Sequence, residues 1–392
     1  MRFPEFQGEW EKCKLGELAV KVGSGSTPKG GNAVYTTSGH CFVRSQNVGM
    51  GHLILNDIAY IDESTHQKQK STELRTNDVL LNITGASIGR TALATEEING
   101  GNVNQHVCII RTNGNVEPSY ICDYIQTSKI QKYIQSLQTG GSREGLNFEQ
   151  IRSFPINIPT VEEQVKIAKL LSLINERIAT QSKLIEDLKK QKSAIIDYAI
   201  NSLDTDFAKF GSLYEMAGEG GTPTTSNASF YVNGKIPFVK IDDLKKKYLT
   251  ENKDFITELG LQKSSAWLVP TRSILFSNGA TIGEITITTY PVCTKQGILG
   301  IVPKPNIDVE FLYYFMSSSY FKKAVSRIVT EGTMKTVYLK DINNIRCPIP
   351  TKEKQLDIAK MPSALNSKID FEQSILKLFG SQKQYLLRQM FM

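Results

Sequence analysis

Several features that would assign the chain to common protein classes are missing from its sequence. No run of about eighteen apolar residues occurs, so no segment is predicted to span a membrane. The six cysteines are scattered without a Cys-x-x-Cys pair, which favours buried, reduced thiols over disulfides or a zinc site. The first ten residues lack an apolar signal core and contain Pro4 and Glu9, so we expect a cytoplasmic protein.

Signatures of catalysis are also scarce. No Pro-Pro pair occurs, although an amino-methyltransferase needs an Asn/Asp-Pro-Pro-aromatic loop to hold its target amine. The glycine-rich run from Gly85 to Gly89 lacks the Gly-Lys-Ser/Thr ending of a phosphate-binding loop, and Gly23 with Gly25 lacks the third glycine of a dinucleotide fingerprint. Carboxylates show no paired acid–base context. The four histidines lie in the first half without metal-ligand spacing: His40, His52, His66 and His106. We expect no catalytic centre, metal or cofactor in this chain.

The composition is that of an ordinary globular protein with a mild excess of positive charge. Of its residues, 40% are hydrophobic and 22% are charged, which is normal for a soluble globular protein. The length of 392 residues predicts two or more domains. A net charge of +7 is compatible with a polyanionic partner, but many proteins of other classes are equally basic.

The most informative feature is a tandem duplication. Gly25-Ser26-Thr27-Pro28 returns as Gly220-Gly221-Thr222-Pro223, Phe42-Val43-Arg44 returns as Phe238-Val239-Lys240, and the run 80–89 returns at 274–283. From Gln105, which matches Gln296, onward to Ala168, which matches Ala359, every matched pair is 191 positions apart. Because one copy is too long for a solenoid repeat, each should be a domain followed by a connector.

Within each copy, residues 14–115 alternate short apolar runs with turn residues, which predicts a β-rich region. Helical spacing then predicts one packing helix, and its apolar positions are Tyr120, Ile121, Tyr124, Ile125, Ile130, Ile134 and Leu137 in the first copy and Phe311, Leu312, Phe315, Met316, Phe321, Val325 and Ile328 in the second.

A long helix is predicted at the end of each copy. Thr160 and Glu163 form a capping box, and the first helix should run from there to about Ile200. Its heptad seam comprises Ile167, Leu171, Ile174, Ile178, Gln181, Ile185, Leu188, Lys192, Ile195 and Ala199, and the second seam comprises Leu365, Ile369, Leu376, Phe379, Leu386 and Met390. Pro362 predicts that the second helix is broken or starts late. Thr351 also lacks a glutamate three positions on.

Duplication predicts a pseudo-two-fold arrangement in which the two long helices run antiparallel and act as a spacer. A helix of about forty residues is about 60 Å long. Major grooves on one face of B-DNA recur every ~34–36 Å, so such a spacer could present two domains to two grooves.

The residues resemble the specificity subunit of type I restriction–modification systems over essentially the whole chain. The resemblance rests on Arg2-Phe3-Pro4-Glu5-Phe6 with Gly8-Glu9-Trp10, on the repeated Gly-Ala-Ser/Thr-Ile-Gly turns, and on two Pro-Thr-x-x-x-Gln helix starts. It implies an α+β fold, with two similar α/β target-recognition domains in tandem separated by antiparallel coiled-coil helices. The implied divisions are residues 1–159, 160–203, 204–350 and 351–392.

The resemblance also implies the partners. The chain would bind double-stranded DNA at a split target, with one half-site per domain, and two modification subunits would dock on the long helices. Adenine methylation and ATP-driven cleavage, with S-adenosylmethionine, ATP and Mg, would belong to those subunits and to restriction subunits. Because Arg44-Ser45-Gln46-Asn47 differs from Lys240-Ile241-Asp242-Asp243, the split site should be asymmetric.

Polar residues at the turns that recur are the candidates for DNA contact. Arg, Gln and Asn can bind base edges through two hydrogen bonds, whereas Lys, Ser and Thr more often bind phosphates. The candidates are Arg44, Gln46, Asn47, Ser87, Arg90, Gln105, His106, Ser142 and Arg143 in the first domain, and Lys240, Asp242, Asn278, Thr281, Lys295, Gln296, Thr333 and Lys335 in the second.

The alternative is a non-catalytic protein-interaction scaffold that uses the coiled coil as a spacer. DNA binding that weakens steeply with salt would separate the two hypotheses.

Overall fold

A computed structural model describes residues 2–30, 34–138, 145–329 and 335–391. The chain divides into two compact units, a first unit of residues 1–182 with 374–392 and a second unit of residues 183–373. Across the described ranges, no helix combines the length and the apolar character that a membrane crossing requires.

The first unit combines short strands with helices. Its strands are β1 (Glu11–Lys14), β2 (Ala19–Ser24), β3 (His40–Val43), β4 (Ala59–Ile61), β5 (Val79–Asn82), β6 (Thr91–Leu93), β7 (Asn102–Val103), β8 (Val107–Thr112) and β9 (Pro155–Ile158). Its α-helices are α1 (Glu63–Lys68), α2 (Pro118–Ile125), α3 (Ser128–Ser136), α4 (Phe148–Arg152) and the first part of α5 (Val161–Asn201). The sheet orders are β2-β8-β5-β6, β4-β3-β7 and β1-β9.

Strands β5 and β8 form the centre of the first unit because both of their faces are covered. Val79 and Leu81 point into a core with α2, α3 and the long helix, whereas Leu80 points into a second core with Val43 and Val103. The twofold alternation of a strand thus separates two apolar clusters. Because both faces of β5 and β8 are buried, the sequence of each of these strands is a largely continuous apolar run.

The second unit repeats this plan. Its strands are β10 (Phe207–Lys209), β11 (Tyr214–Glu219), β12 (Ile236–Val239), β13 (Tyr248–Leu249), β14 (Asp254–Ile256), β15 (Ile274–Ser277), β16 (Ile285–Thr288), β17 (Cys293–Thr294), β18 (Ile298–Pro303) and β19 (Arg346–Pro348). Its α-helices are α6 (Glu258–Gln262), α7 (Val309–Ser317), α8 (Ser319–Ile328), α9 (Leu339–Ile342) and the first part of α10 (Lys352–Met390). The sheet orders are β11-β18-β15-β16-β13, β14-β12-β17 and β10-β19, and they correspond to those of the first unit except that β13 adds a fifth strand to the largest sheet. The predicted α+β class and the duplication are confirmed.

The prediction of one packing helix per copy is wrong, because each copy has two shorter helices. Thr127 ends α2 and caps α3, since its Oγ1 accepts from Ile130 N at 3.4 Å. Ser318 plays the same part between α7 and α8, with Phe321 N donating to its Oγ at 3.2 Å. The apolar face is continuous across both breaks, so periodicity alone conceals a capping residue.

The first long helix follows the prediction closely. Helix α5 runs from Val161 to Asn201, and the Glu163 N–H donates to Thr160 Oγ1 at 3.4 Å. The Glu163 carboxylate, fully buried, accepts from Arg2 at 2.7 and 2.8 Å. No residue of the predicted seam is exposed, and Ile196 and Ile200 join the seam at its end.

The prediction that Pro362 breaks the second helix is wrong, since α10 is continuous from Lys352 to Met390. Proline removes one helical hydrogen bond and crowds the carbonyl four residues earlier. Here its ring is buried, and the neighbouring Ile358 and Ala359 lie in the core of the second unit. Packing therefore offsets the local cost.

In the second unit the two long helices run antiparallel. Lys192 Nζ donates to Asn366 Oδ1 at 2.9 Å, and farther along α5, Ile196 and Ile200 share a core with the earlier α10 residues Ile358 and Ala359. The division of the chain into recognition domains and spacers stays a prediction.

Candidate nucleic-acid interface

Strand topology brings four loops of the first unit to one edge. Register pairs Ser24 with Cys108 and Asn82 with Val107, so β2 and β5 end where β8 begins. Strand β3 runs parallel to β7, and both end at the loop that joins β7 to β8. We call this group of loops, residues 25–28, 44–47, 84–90 and 104–106, the first loop cluster.

Glycine at position 25 is required by this close approach. A Cβ built at Gly25 would lie 1.8 Å from the Val103 carbonyl oxygen, and one built at Gly220 would lie 2.2 Å from the Thr294 carbonyl oxygen. The loop of residues 25–28 can therefore lie against the end of β7 only without a side chain at Gly25.

Arg44 and Gln46 lie in the loop of the first cluster that follows β3, and both side chains point toward Asp57. Arg44 Nη2 donates to the Asp57 carbonyl at 2.8 Å and lies 3.3 Å from its carboxylate, while Gln46 Nε2 donates to that carboxylate at 2.6 Å. The Arg44 guanidinium also stacks over Tyr35, 5.5 Å from the ring centroid. Asn47 is buried instead: its Oδ1 accepts from Arg44 N at 3.0 Å and its Nδ2 donates to Ile54 O at 2.9 Å. The Asn47 amide thus holds the loop, and its contact with DNA stays a prediction.

Gln105 and His106 link the other loops of the first cluster. The Gln105 Oε1 accepts from Thr27 N at 2.9 Å and also from the Thr27 hydroxyl. His106 Nδ1 lies 2.6 Å from Thr84 Oγ1, and its Nε2 lies 3.1 Å from Gln105 Nε2. Gln105 is exposed and His106 half-buried, so both can reach a ligand. Ser87, half-buried, and Arg90, exposed, lie farther along the turn that Thr84 begins.

The second unit forms the corresponding second loop cluster, residues 220–223, 240–245, 278–283 and 295–297. Strand register again places the ends of β11, β12, β15 and β17 beside the start of β18. A cleft of about 620 Å³ opens between these loops. Its lining includes Lys240, Asp242, Lys295 and Gln296, which the sequence singles out. All four are exposed.

Two of these residues carry opposite charge at the cleft. Lys240 Nζ pairs with Asp254 at 2.8 Å, and Lys245 Nζ pairs with Asp242 at 3.0 Å. The hydrogen bond from Lys245 and its charge lower the pKa of Asp242, so this carboxylate stays ionised at neutral pH. An ionised aspartate can accept a hydrogen bond from the cytosine amino group but repels phosphate.

Of the remaining predicted residues of the second unit, Asn278 and Thr281 lie in the second loop cluster and Lys335 lies elsewhere. Asn278 is buried, and its Nδ2 donates to Val337 O at 3.1 Å, while its contact with DNA stays a prediction. Its amide holds the strand segment after β15 against residues 336–338. Thr281 is exposed on the same turn, and Lys335 lines a different, mostly apolar cavity of about 410 Å³. The predicted residues Ser142, Arg143 and Thr333 lie outside the described residues.

Sequence reasoning missed three groups that the structure places in the clusters. Thr27 contacts the Gln105 side chain in the first cluster. In the second cluster, Gln296 N donates to Thr222 Oγ1 at 3.2 Å. The recurrence of these threonines at matching positions of the two copies was the sequence signal that could have identified them. Tyr338 and Asp57 lacked such a signal, since long-range folding alone brings them here.

Comparison with known proteins gives one consistent result. A family model described as "Type I restriction modification DNA specificity domain" matches residues 7–190 and 204–378. A putative type I restriction enzyme MjaX specificity subunit from Methanocaldococcus jannaschii is 23% identical over 393 residues, covering 94% of this chain and 89% of the relative. The HindI specificity subunit of Haemophilus influenzae is 19% identical, covering 83% and 86%.

Solved structures agree on the fold. The S subunit of a type I restriction–modification system from M. genitalium matches with a TM-score of 0.59 at 16% identity, over 100% of this chain and 99% of that chain. A chain from a structure on complex assembly of the type I system matches with a TM-score of 0.60 at 16% identity, over 99% and 98%.

Proposed function

We propose that this chain, which belongs to the type I restriction–modification DNA specificity family, selects the DNA sites on which partner subunits act. Each loop cluster would bind one half-site, and the long helices would set the gap between the half-sites. Methyl transfer to adenine and ATP-dependent cleavage, with S-adenosylmethionine, ATP and Mg, would be carried out by modification and restriction subunits. The modification subunits would dock on the long helices.

One observation carries this proposal: the same frame presents different side chains in the two copies. Register and loop positions correspond between the units, and Gly25 and Gly220 make the same close backbone approach. The side chains on these loops differ, with the half-buried Arg44 and the exposed Gln46 in one cluster and the exposed Lys240 and Asp242 in the other. Different donors and acceptors on equivalent loops predict two unlike half-sites.

The supporting electrostatics are local. The second cleft contains Lys240 and Lys295, and the first loop cluster contains Arg44 and the exposed Arg90. Such side chains supply phosphate and guanine contacts in known protein–DNA interfaces. A peptide-binding scaffold has no comparable need for two sets of hydrogen-bonding side chains at repeated turns.

A selection experiment tests the proposal. The chain assembled with its modification subunits is incubated with a pool of random duplexes, and the bound fraction is sequenced. We expect enrichment of two unlike motifs at a constant gap. The double variant Lys240→Gln/Lys295→Gln should weaken or relax one motif only.

Lys304→Gln provides a control for loss of positive charge away from the cleft, because the exposed Lys304 follows the far end of β18, and it removes one charge where the double variant removes two. It should leave both motifs unchanged. Failure of a folded complex to enrich any motif would contradict the proposed function.

A further inference from the structure

An exposed carboxylate pairs with the side chains of Arg44 and Gln46 in the first loop cluster. The Asp57 side chain is 82% exposed, yet its carboxylate accepts from Gln46 and lies 3.3 Å from Arg44. The Asp57 backbone carbonyl accepts from Arg44 as well. The side chains best suited to bind a base edge are therefore already paired with an acceptor that lies at the surface.

A basic residue of the second loop cluster forms a similar ion pair with an aspartate. Lys240 Nζ contacts Asp254 at 2.8 Å, and Asp254 begins β14, the antiparallel neighbour of β12. In the first unit the corresponding neighbour is β4, and Asp57 precedes it.

The two carboxylates do not occupy equivalent positions. Asp254 pairs in register with Phe238, whereas the partner of Phe42 is Ala59, two residues after Asp57. Asp254 is a residue of strand β14, whereas Asp57 lies in the turn before β4. The two copies thus carry the aspartate at non-equivalent positions. Duplication of a single ancestral aspartate does not explain why both copies have this ion pair.

We infer that Asp57 and Asp254 determine specificity by masking the basic side chains against non-specific DNA. This inference rests on the proposed function. When a DNA phosphate replaces the aspartate carboxylate, the basic side chain exchanges one anionic acceptor for another, so binding to DNA of any sequence gains little free energy. A cognate base edge offers a second acceptor to Arg44, as guanine O6 and N7 do, and only that exchange gains a hydrogen bond.

The alternative role for these carboxylates is to orient Arg44 and Lys240 for binding. A side chain that holds another in a binding geometry is normally fixed itself by packing and hydrogen bonds. Asp57 is 82% exposed and Asp254 is 40% exposed, so neither is fixed by burial. Their exposure instead favours a contact that DNA displaces.

Isosteric replacement of the carboxylates tests the inference. Dissociation constants of the complex with its modification subunits are measured for a duplex with both half-sites and for one with neither, over a series of salt concentrations. Asp57→Asn and Asp254→Asn should each tighten binding to the non-cognate duplex by roughly two- to fivefold, the range expected for loss of one exposed ion pair. The slope of affinity against salt should steepen by about 0.9, because one more cation contacts phosphate. Cognate affinity should change less, so that the ratio of the two affinities falls.

Glu149→Gln is the matched control, since Glu149 is exposed and forms an ion pair with Arg152 on α4, away from the loop clusters. It removes the same charge and should leave the affinity ratio unchanged. A similar fall of the ratio in Glu149→Gln would mean that net charge alone acts, and this would overturn the inference.

The background of Arg44→Gln separates masking from direct repulsion of DNA. If Asp57 acts through Arg44, Asp57→Asn should have no effect on non-cognate binding in that background. An undiminished effect would overturn the inference, as would loss of cognate affinity in Asp57→Asn with unchanged non-cognate affinity. A wild-type complex without sequence preference would instead show that the proposed function fails.

Discussion

Replacing Lys383 by methionine is expected to destabilise the first unit at pH 8 and to leave it almost unchanged at pH 5. Lys383 is 8% exposed and donates from Nζ to Gln126 Oε1 at 2.8 Å. Gln126 Nε2 in turn donates to Asp123 Oδ1 at 3.1 Å, and Asp123 is 5% exposed. The amide therefore connects a buried cation to a buried carboxylate within the first unit.

The pH dependence follows from the pKa of Asp123. Burial raises this pKa to about 7, while the charge of Lys383 and the hydrogen bond from Gln126 lower it. The native state thus keeps a proton that the unfolded chain releases near pH 4, so the stability of the unit declines as pH rises from about 4 to about 7. Without Lys383 the pKa of Asp123 rises further, and the decline extends to higher pH.

Removing one partner of a directly paired buried charge pair costs about 3–5 kcal/mol, and the cost is smaller here because Gln126 separates the two charges. Since pH 8 lies about one unit above the Asp123 pKa of about 7, and one unit corresponds to ~1.4 kcal/mol, the loss at pH 8 should exceed the loss at pH 5 by about 1.4 kcal/mol. At pH 5 Asp123 is already protonated in both proteins, and the loss should be below about 1 kcal/mol. The double variant Lys383→Met/Asp123→Asn should recover most of the loss at pH 8.

Hydrogen exchange of α2 and of the end of α10 at the two pH values measures these effects, since a chain with two units need not unfold in one step. Lys192→Met is the matched control, because Lys192 lies 191 positions before Lys383 and faces the exposed Asp370 instead of a buried carboxylate. It should show no comparable change between pH 5 and pH 8. An equal loss for Lys383→Met at both pH values would refute the reasoning.

Three further predictions concern the second helix and the DNA contacts. Pro362→Ala should stabilise the second unit by about 1–2 kcal/mol, because alanine restores a helical hydrogen bond but gives up part of a buried ring; a lower melting temperature would contradict this. Lys335→Gln should weaken DNA binding and lower the salt slope by about 0.9, and Arg143→Gln should do the same; an unchanged slope removes that residue from the interface. Exchanging residues 207–348 for another second domain should alter one half of the methylated motif, and a change in both halves would disprove independent recognition.

The sequence was most informative where the signal is local or repeated. Heptad spacing predicted the buried seam of α5, and the duplication predicted that Gln105 and Gln296 occupy equivalent loops. Both patterns depend on neighbouring residues or on comparison of two copies.

Features decided by tertiary packing escaped prediction. Asn47 and Asn278 are predicted DNA contacts, and no sequence pattern indicates that both amides are buried and donate to backbone carbonyls. In sequence, Pro362 predicts a break in the helix, and only the packing around it explains why α10 continues. Asp57 reaches Arg44 only because a loop returns to the end of β3, and no sequence pattern records that return.

The central claim is tested most directly by a methylome. The chain is expressed with its modification subunit in a host without adenine methylation, and the genomic DNA is sequenced for modified adenine. The account predicts a split, asymmetric motif with a fixed gap, each half assigned to one loop cluster. A perfect palindrome would contradict two unlike half-sites, and an unmodified genome in the presence of a folded, active complex would contradict DNA recognition by this chain.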